Sequence, residues 1–253
     1  MRAWLTCVAV VSVLFAVPMP TAALQSDDLI AAAVANEARP QADRDRDELR
    51  KPAETLAWAG VRPGARIMDL VPGGGYFTRI LSGAVGPEGH VYALQPAEVV
   101  NKFSAYRQVM DDLDAETGWD NVSFHFDSVS AFSMPEPLDM VFTALNYHDF
   151  HAEFMGPADV SAVNRAVFNA LKPGGIYVII DHHALAGSGV SEVNRIHRID
   201  VEVVKREVLA AGFVLEAETD LLAHPEDDRT AHVYEARMRG RTDQFVLKFR
   251  KPM

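Results

Sequence analysis

The chain has one cysteine, Cys7, in 253 residues. A single thiol near the start excludes internal disulfides and thiolate cages for zinc or iron–sulfur clusters, so the fold must rest on its hydrophobic core. Positive charge is also scarce: 24 Lys and Arg face 35 Asp and Glu, for a formal net charge of −11. No basic cluster with interleaved aromatics occurs, which excludes nucleic acid as a partner, because phosphate binding needs a basic face to displace counterions. The apolar run 3–17 is short for a membrane span. A hydrolase elbow is missing too, since Gly187-Ser188-Gly189 lacks the strand–turn–helix setting of a nucleophile. No internal repeat or low-complexity linker is present.

What the chain does have begins with a basic Met1-Arg2, the apolar run, and the breaker and small residues Pro18-Met19-Pro20-Thr21-Ala22-Ala23 before polar Gln25-Ser26-Asp27-Asp28. This predicts a secretory signal peptide over 1–23, cleaved after Ala23. The mature protein is then expected in the periplasm or secreted, with no stable membrane insertion. Residues 24–64 read as a helical amino-terminal extension and 65–253 as one α/β domain, with enough apolar residues for a core.

Apolar periodicity predicts helices over 29–35, 43–50 and from Pro52 to a stop at Gly60. The alternating charges of Asp43-Arg44-Asp45-Arg46-Asp47 read as a solvated helix face. Strands are predicted over 66–70, 90–94, 122–126, 138–145, 176–180, 213–218 and 245–249, with helices over 76–84, 99–113, 160–171 and 191–210. The apolar strands suit a parallel sheet covered on both faces. The expected fold is therefore a doubly wound, mostly parallel seven-stranded sheet, with its ligand crevice at the carboxyl ends of the strands.

The densest signal is Asp69-Leu70-Val71-Pro72-Gly73-Gly74-Gly75, a strand end, a glycine loop and the start of a helix. Glycines there let a bulky ligand lie against the backbone. With Asp127 after the third strand, Leu138-Asp139-Met140-Val141-Phe142 and the turn Leu171-Lys172-Pro173-Gly174-Gly175, this order resembles class I S-adenosylmethionine-dependent methyltransferases, and further resembles an exported bacterial group of such proteins. The resemblance implies a Rossmann-like fold, S-adenosylmethionine as cofactor on Asp69, Gly73, Gly74, Gly75, Gln95 and Asp127, and methyl transfer to a small molecule. Two positions depart from the pattern. Val71 stands where a glycine is common, and Gln95 where an acid holds the ribose hydroxyls, a role that Glu98 could take. Bulky Tyr76-Phe77-Thr78 after the glycines argues against a dinucleotide.

Methyl transfer needs alignment, and a base only for a protonated nucleophile. His148, with an ordinary imidazole pKa, is the expected base, Asp149 its orienting partner and His182 a second catalytic candidate. Tyr147, His183 and His197 are expected to bind substrate, and Arg198 to pair with Asp200 at helical spacing. No metal is assigned, because no His-Glu-x-x-His spacing is present. Two alternatives stay open: a non-catalytic exported binding protein for a nucleoside-like ligand, and a metal-dependent enzyme using some of His148, Asp149, His151, Asp181, His182 and His183.

Overall fold

The computed structural model describes residues 21–116, 119–156 and 158–253. The signal-peptide expectation lies almost wholly outside these residues. Among them, no helix is long and apolar enough to cross a membrane.

The amino-terminal region forms α1 (Thr21–Val34), two single turns α2 (Gln41–Arg44) and α3 (Asp47–Arg50), and α4 (Pro52–Ala59). Pro52 opens α4, where its missing N–H costs nothing, and Gly60 closes it with φ 88°. This region belongs to the core. Ile30, Ala33, Leu56 and Ala59 are buried with Phe77, Ile80, Leu81 and Ala84 of α5 (Tyr76–Val85). Contact between α1 and α5 is so close that a Cβ on Gly83 would lie 2.8 Å from that of Ala33.

The sheet has seven strands: β1 (Arg66–Leu70), β2 (His90–Leu94), β3 (Val122–His125), β4 (Leu138–Ala144), β5 (Leu171–His182), β6 (Val214–Thr219) and β7 (Gln244–Arg250). Their order is β3-β2-β1-β4-β5-β7-β6. Strands β3 to β5 in that order pair in parallel, with Ile67 opposite both Val91 and Met140. Only β7 runs antiparallel to its neighbours β5 and β6. The central strands are buried on both faces, as apolar runs require in a parallel sheet. Helices α8 (Val160–Ala170) and α10 (Val201–Ala210) pack on one face of the sheet, through Val163, Val167, Val203 and Val204, in a core shared with Tyr177 and Phe213.

Three predicted helices are each broken in two, the first being 43–50, which divides at Asp45 and Arg46 into α2 and α3. The segment 97–114 divides at Phe103 and Ser104 into α6 (Ala97–Lys102) and α7 (Ala105–Asp114). The segment 191–210 divides at His197, whose φ of 56° is left-handed and ends α9 (Val193–Ile196) before α10 begins. Leu171-Lys172-Pro173-Gly174-Gly175 is not a turn into β5 but an irregularity within it, where residues 172–175 intervene between the Leu138–Leu171 and Met140–Ile176 pairs.

Candidate functional site

The parallel strands deliver their carboxyl ends to one edge, where the chain first turns at Val71. Its φ is 65°, a left-handed conformation that costs a β-branched residue about 1–2 kcal/mol. The loop therefore keeps the backbone path that glycine would favour, and two hydrogen bonds hold it: Val71 N–H donates to the Leu94 carbonyl (2.9 Å), and Asn146 Nδ2 donates to the Val71 carbonyl (3.1 Å). Gly73 and Gly75 follow with φ of 56° and 77°. A Cβ on Gly73 or Gly74 would meet nothing within 4 Å, whereas one on Gly75 would lie 2.8 Å from Leu113. Gly73 and Gly74 thus face open space, and Gly75 is the packed start of α5.

Asp69 ends β1 beneath this loop. Burial pushes its carboxyl up to about 6, against the hydrogen bond from Thr78 Oγ1 (2.6 Å) and the charge of Arg50. A carboxyl whose folded pKa is raised gives stability that is complete below its unfolded value and lost as pH climbs through about 6. Asp69→Asn is therefore expected to stabilise the protein by about 2–3 kcal/mol at neutral pH, the gain vanishing towards pH 4, while impairing ligand binding. Thermal melts of both proteins across this pH range check it; a variant less stable at pH 7 would contradict it.

The open space beside Gly73 and Gly74 is a cavity of about 540 Å³, also lined by Asp69, Asn146 and His182. Tyr76 and Phe77, directly after the glycines, add to its wall, and the rest comes from far away in sequence: Arg46, Leu49 and Arg50 of the amino-terminal region, and Tyr234, Arg239, Gly240 and Gln244. The alternating charges at 43–51 are thus only in part a solvated face: Asp45, Arg46 and Glu48 are exposed, whereas Asp43 is buried and Asp47 and Arg50 turn inward. Arg39 holds Asp47 through two bonds of 2.8 Å, Tyr76 Oη donates to the same carboxylate (2.6 Å), and buried Asp43 takes Arg79 (2.9 Å) and Arg46 (2.5 Å). Arg50 differs from these. Its guanidinium lies 4.2 Å over the Tyr76 ring and 4.8 Å over Phe77, and makes no hydrogen bond or ion pair with the described residues. Burial brings its pKa down to about 10, so it stays charged at neutral pH.

The histidines divide into two settings. His148 is buried, with Nδ1 2.8 Å from Asp181 Oδ1, while Asp181 Oδ2 accepts the His148 backbone N–H at 2.7 Å. Its Nε2 is 3.1 Å from Asp149 Oδ1 and 3.2 Å from His197 Nδ1, and Asp149 Oδ1 is 3.6 Å from His197 Nδ1. Burial opposes charge on His148, but Asp181 and Asp149 outweigh it and push the imidazole up to about 10; in turn His148 holds Asp149 down to about 2 against its own burial. His148 therefore does not have the ordinary pKa expected of a base, and it does not line the cavity. His182 does. Burial, with the charges of His148 and Arg198, drives it well below the usual imidazole range, and its Nδ1 lies 2.7 Å from Thr242 Oγ1.

Of the other expected residues, Tyr147 is fully enclosed, its hydroxyl held by Asn164 Nδ2 (2.7 Å) and Glu207 (3.1 Å), so it packs the core and is not placed to bind substrate. His183 packs edge-on against Phe245 outside the cavity wall, and His151 turns to Glu207 (3.1 Å). His197 lines a second groove of about 410 Å³. Gln95, directly after β2, is fully buried, and neither side-chain polar atom has a hydrogen-bond partner among the described residues. Asp127 is exposed, and neither it nor Gln95 reaches the cavity. Glu98 is tied to Ser128 Oγ (2.6 Å) and the Val129 N–H (3.1 Å). Arg198 does not pair with Asp200, which instead caps α10 and accepts the Gly187 N–H (2.7 Å). The left-handed His197 turns Arg198 out of the helix towards Asp227 (2.8 Å).

Sequence reasoning missed Arg50, Asn146, Tyr234, Arg239 and Gln244. Asn146, two residues past the end of β4, carried a signal in its position near a strand end. The others reach the cavity through tertiary packing alone.

No protein-family model matches the chain. It is 31% identical over 137 residues to an uncharacterized methyltransferase of Synechocystis sp., a match covering 52% of each protein, so the chain spans about half the length of that curated relative. Among solved structures, a SAM-dependent methyltransferase from Aquifex aeolicus superposes with a TM-score of 0.58 at 17% identity, over 82% of this chain and 93% of its own. The cyclase SpnF superposes with a TM-score of 0.54 at 17% identity, over 90% and 93%. One fold thus serves more than one chemistry, and activity follows from the site rather than the sheet. In strand order, in the single antiparallel strand and in superposition, this chain has the Rossmann-like fold of the SAM-dependent methyltransferases.

Proposed function

We propose that the protein is an enzyme that binds S-adenosylmethionine and transfers its methyl group to a small-molecule acceptor. The observation that carries this reading is the cavity, which joins the open Gly73–Gly74 backbone to an unpartnered Arg50 cation and an uncharged His182. An amino-acid carboxylate beside the glycine loop would complete Arg50, a charge-assisted bond stronger than a neutral one. The donor, when bound, supplies an electrophilic methyl on sulfur, so the chain's own task is alignment and exclusion of water. His182, neutral and in the cavity wall with Thr242 fixing its ring, is suited to orient an acceptor hydroxyl or amine through a hydrogen bond, its depressed pKa making it a weak proton acceptor.

The fit is weaker at the adenosine end. Gln95 is an enclosed amide with no partner among the described residues, a burial that costs about 1–3 kcal/mol, and it does not line the cavity that ribose hydroxyls would occupy. That same neutral residue, in place of an acid, favours the second reading, a binding protein for another nucleoside-like ligand. The proposal includes a periplasmic or secreted location, supported by the pattern of residues 1–23. Calorimetry on the protein with S-adenosylmethionine and S-adenosylhomocysteine tests it. Saturable 1:1 binding is expected, weakened at least tenfold in Arg50→Met; no heat with either ligand would rule the reading out.

A further inference from the structure

We infer that His148, Asp149 and His197 form a binding site for one divalent transition-metal ion of the zinc class. His148 Nε2, Asp149 Oδ1 and His197 Nδ1 make a triangle with edges of 3.1, 3.2 and 3.6 Å. A point equidistant from three atoms so placed lies about 1.9 Å from each, so an ion about 0.8 Å out of their plane meets all three at the roughly 2.0–2.1 Å of zinc–imidazole and zinc–carboxylate bonds. Two imidazoles and one carboxylate, with no thiolate, suit zinc or ferrous iron rather than calcium or magnesium, which take oxygen ligands.

Three further observations point to an ion rather than a hydrogen-bonded cluster. Asp149 Oδ1 is a buried carboxylate oxygen with no hydrogen bond of acceptable geometry, although two imidazole nitrogens stand close to it. The other ring nitrogen of His148 faces the buried Asp181 carboxylate at 2.8 Å, so Nδ1 keeps its proton and Nε2 is the nitrogen that gives up its proton to an ion held in the triangle. A carboxylate behind a ligating histidine is the usual outer support of such sites. Finally, His197 is held in a left-handed backbone conformation, with its ring against His232 and Tyr234 at 5.1 Å each, so the fold fixes the third donor.

The site has an entrance and a neighbour. His197 lines the groove that also contains Lys102, Glu153 and Asn194, which gives an ion a path from solvent. On the other side, the His148 ring lies 5.9 Å from that of His182, and Tyr234 borders both His197 and the main cavity. Three protein ligands leave at least one coordination position for water or a ligand oxygen.

Metal uptake is measured on the tag-free, chelator-treated protein without methyl donor or acceptor, so the result is independent of the methyl-transfer reading. Titration with Co²⁺ is expected to give one equivalent with visible d–d bands, displaced by Zn²⁺. His197→Asn, which removes an imidazole but keeps a residue tolerant of the left-handed backbone, and Asp149→Asn should each weaken Zn²⁺ binding at least tenfold, with melting temperatures showing that both variants are folded. Absence of a saturable cobalt spectrum, or Zn²⁺ affinity within twofold of the parent in either variant, overturns the inference.

Discussion

Replacing Arg198 with methionine is expected to destabilise the protein by about 3–5 kcal/mol, because it strands a buried carboxylate. Both side chains of the Arg198–Asp227 pair are completely enclosed. Arg198 Nη1 reaches Asp227 Oδ2 at 2.8 Å and the His183 carbonyl at 3.0 Å, Nη2 reaches Asp227 Oδ1 at 3.2 Å, and Nε the Ala231 carbonyl at 2.9 Å. Asp227 also accepts the backbone N–H groups of Asp243 (2.7 Å) and Arg229 (2.9 Å). One guanidinium thus joins the end of β5 to a segment with no regular helix or strand between Thr219 and Gln244. Methionine fills similar volume but donates nothing, leaving Asp227 and two carbonyls short of partners. Urea unfolding measures the loss. Arg198→Met combined with Asp227→Leu should recover part of it, since removing both charges relieves the desolvation that removing one exposes. A single-variant loss below about 1 kcal/mol would show that the pair is solvated. The same segment carries Tyr234, Arg239 and Gly240 to the cavity, so ligand affinity is expected to fall with stability.

This pair also marks where sequence reasoning stops. β1 and β2 run Arg66–Leu70 and His90–Leu94, as predicted, because short apolar runs bounded by glycine and proline leave one solution. Helix breaks at Phe103 and His197 were not legible, since apolar spacing continues across a one- or two-residue interruption. The loop from Asp69 to Gly75 was legible in position and backbone, down to the left-handed Val71 where glycine is usual. What surrounds that loop was not. Arg50 stood in a run of alternating charge that looked solvated, and only the fold reveals that its neighbours pair among themselves and leave it over Tyr76. Arg198 had Asp200 two residues away, yet burial selected Asp227 instead. The histidines after β4 and β5 were expected to act together; Asp181 and Asp149 instead make His148 strongly basic, whereas burial and the charges of His148 and Arg198 leave His182 neutral, a division set by distances that spacing cannot encode.

Gly73→Val is expected to lower affinity for S-adenosylhomocysteine at least a hundredfold while leaving the protein folded. The two effects separate because the position is open. At φ 56° a Cβ would meet no atom within 4 Å, so the branch point of valine is accommodated and the main cost is the left-handed backbone, about 1–2 kcal/mol, which the loop already bears at Val71. The added methyls stand in the space that a bound donor would need, next to Asp69 and Gly74. Losing the close backbone approach and the contacts beyond it amounts to more than about 2.7 kcal/mol, hence the hundredfold. Gly60→Val supplies the control, since Gly60 has φ 88°, is equally unobstructed and closes α4 away from the cavity. It should lower the melting temperature comparably and leave affinity unchanged. Calorimetry and thermal melts on both variants decide the matter: unaltered affinity in Gly73→Val would place the donor somewhere other than this loop, and equal losses in both would assign the effect to backbone strain rather than to a filled site.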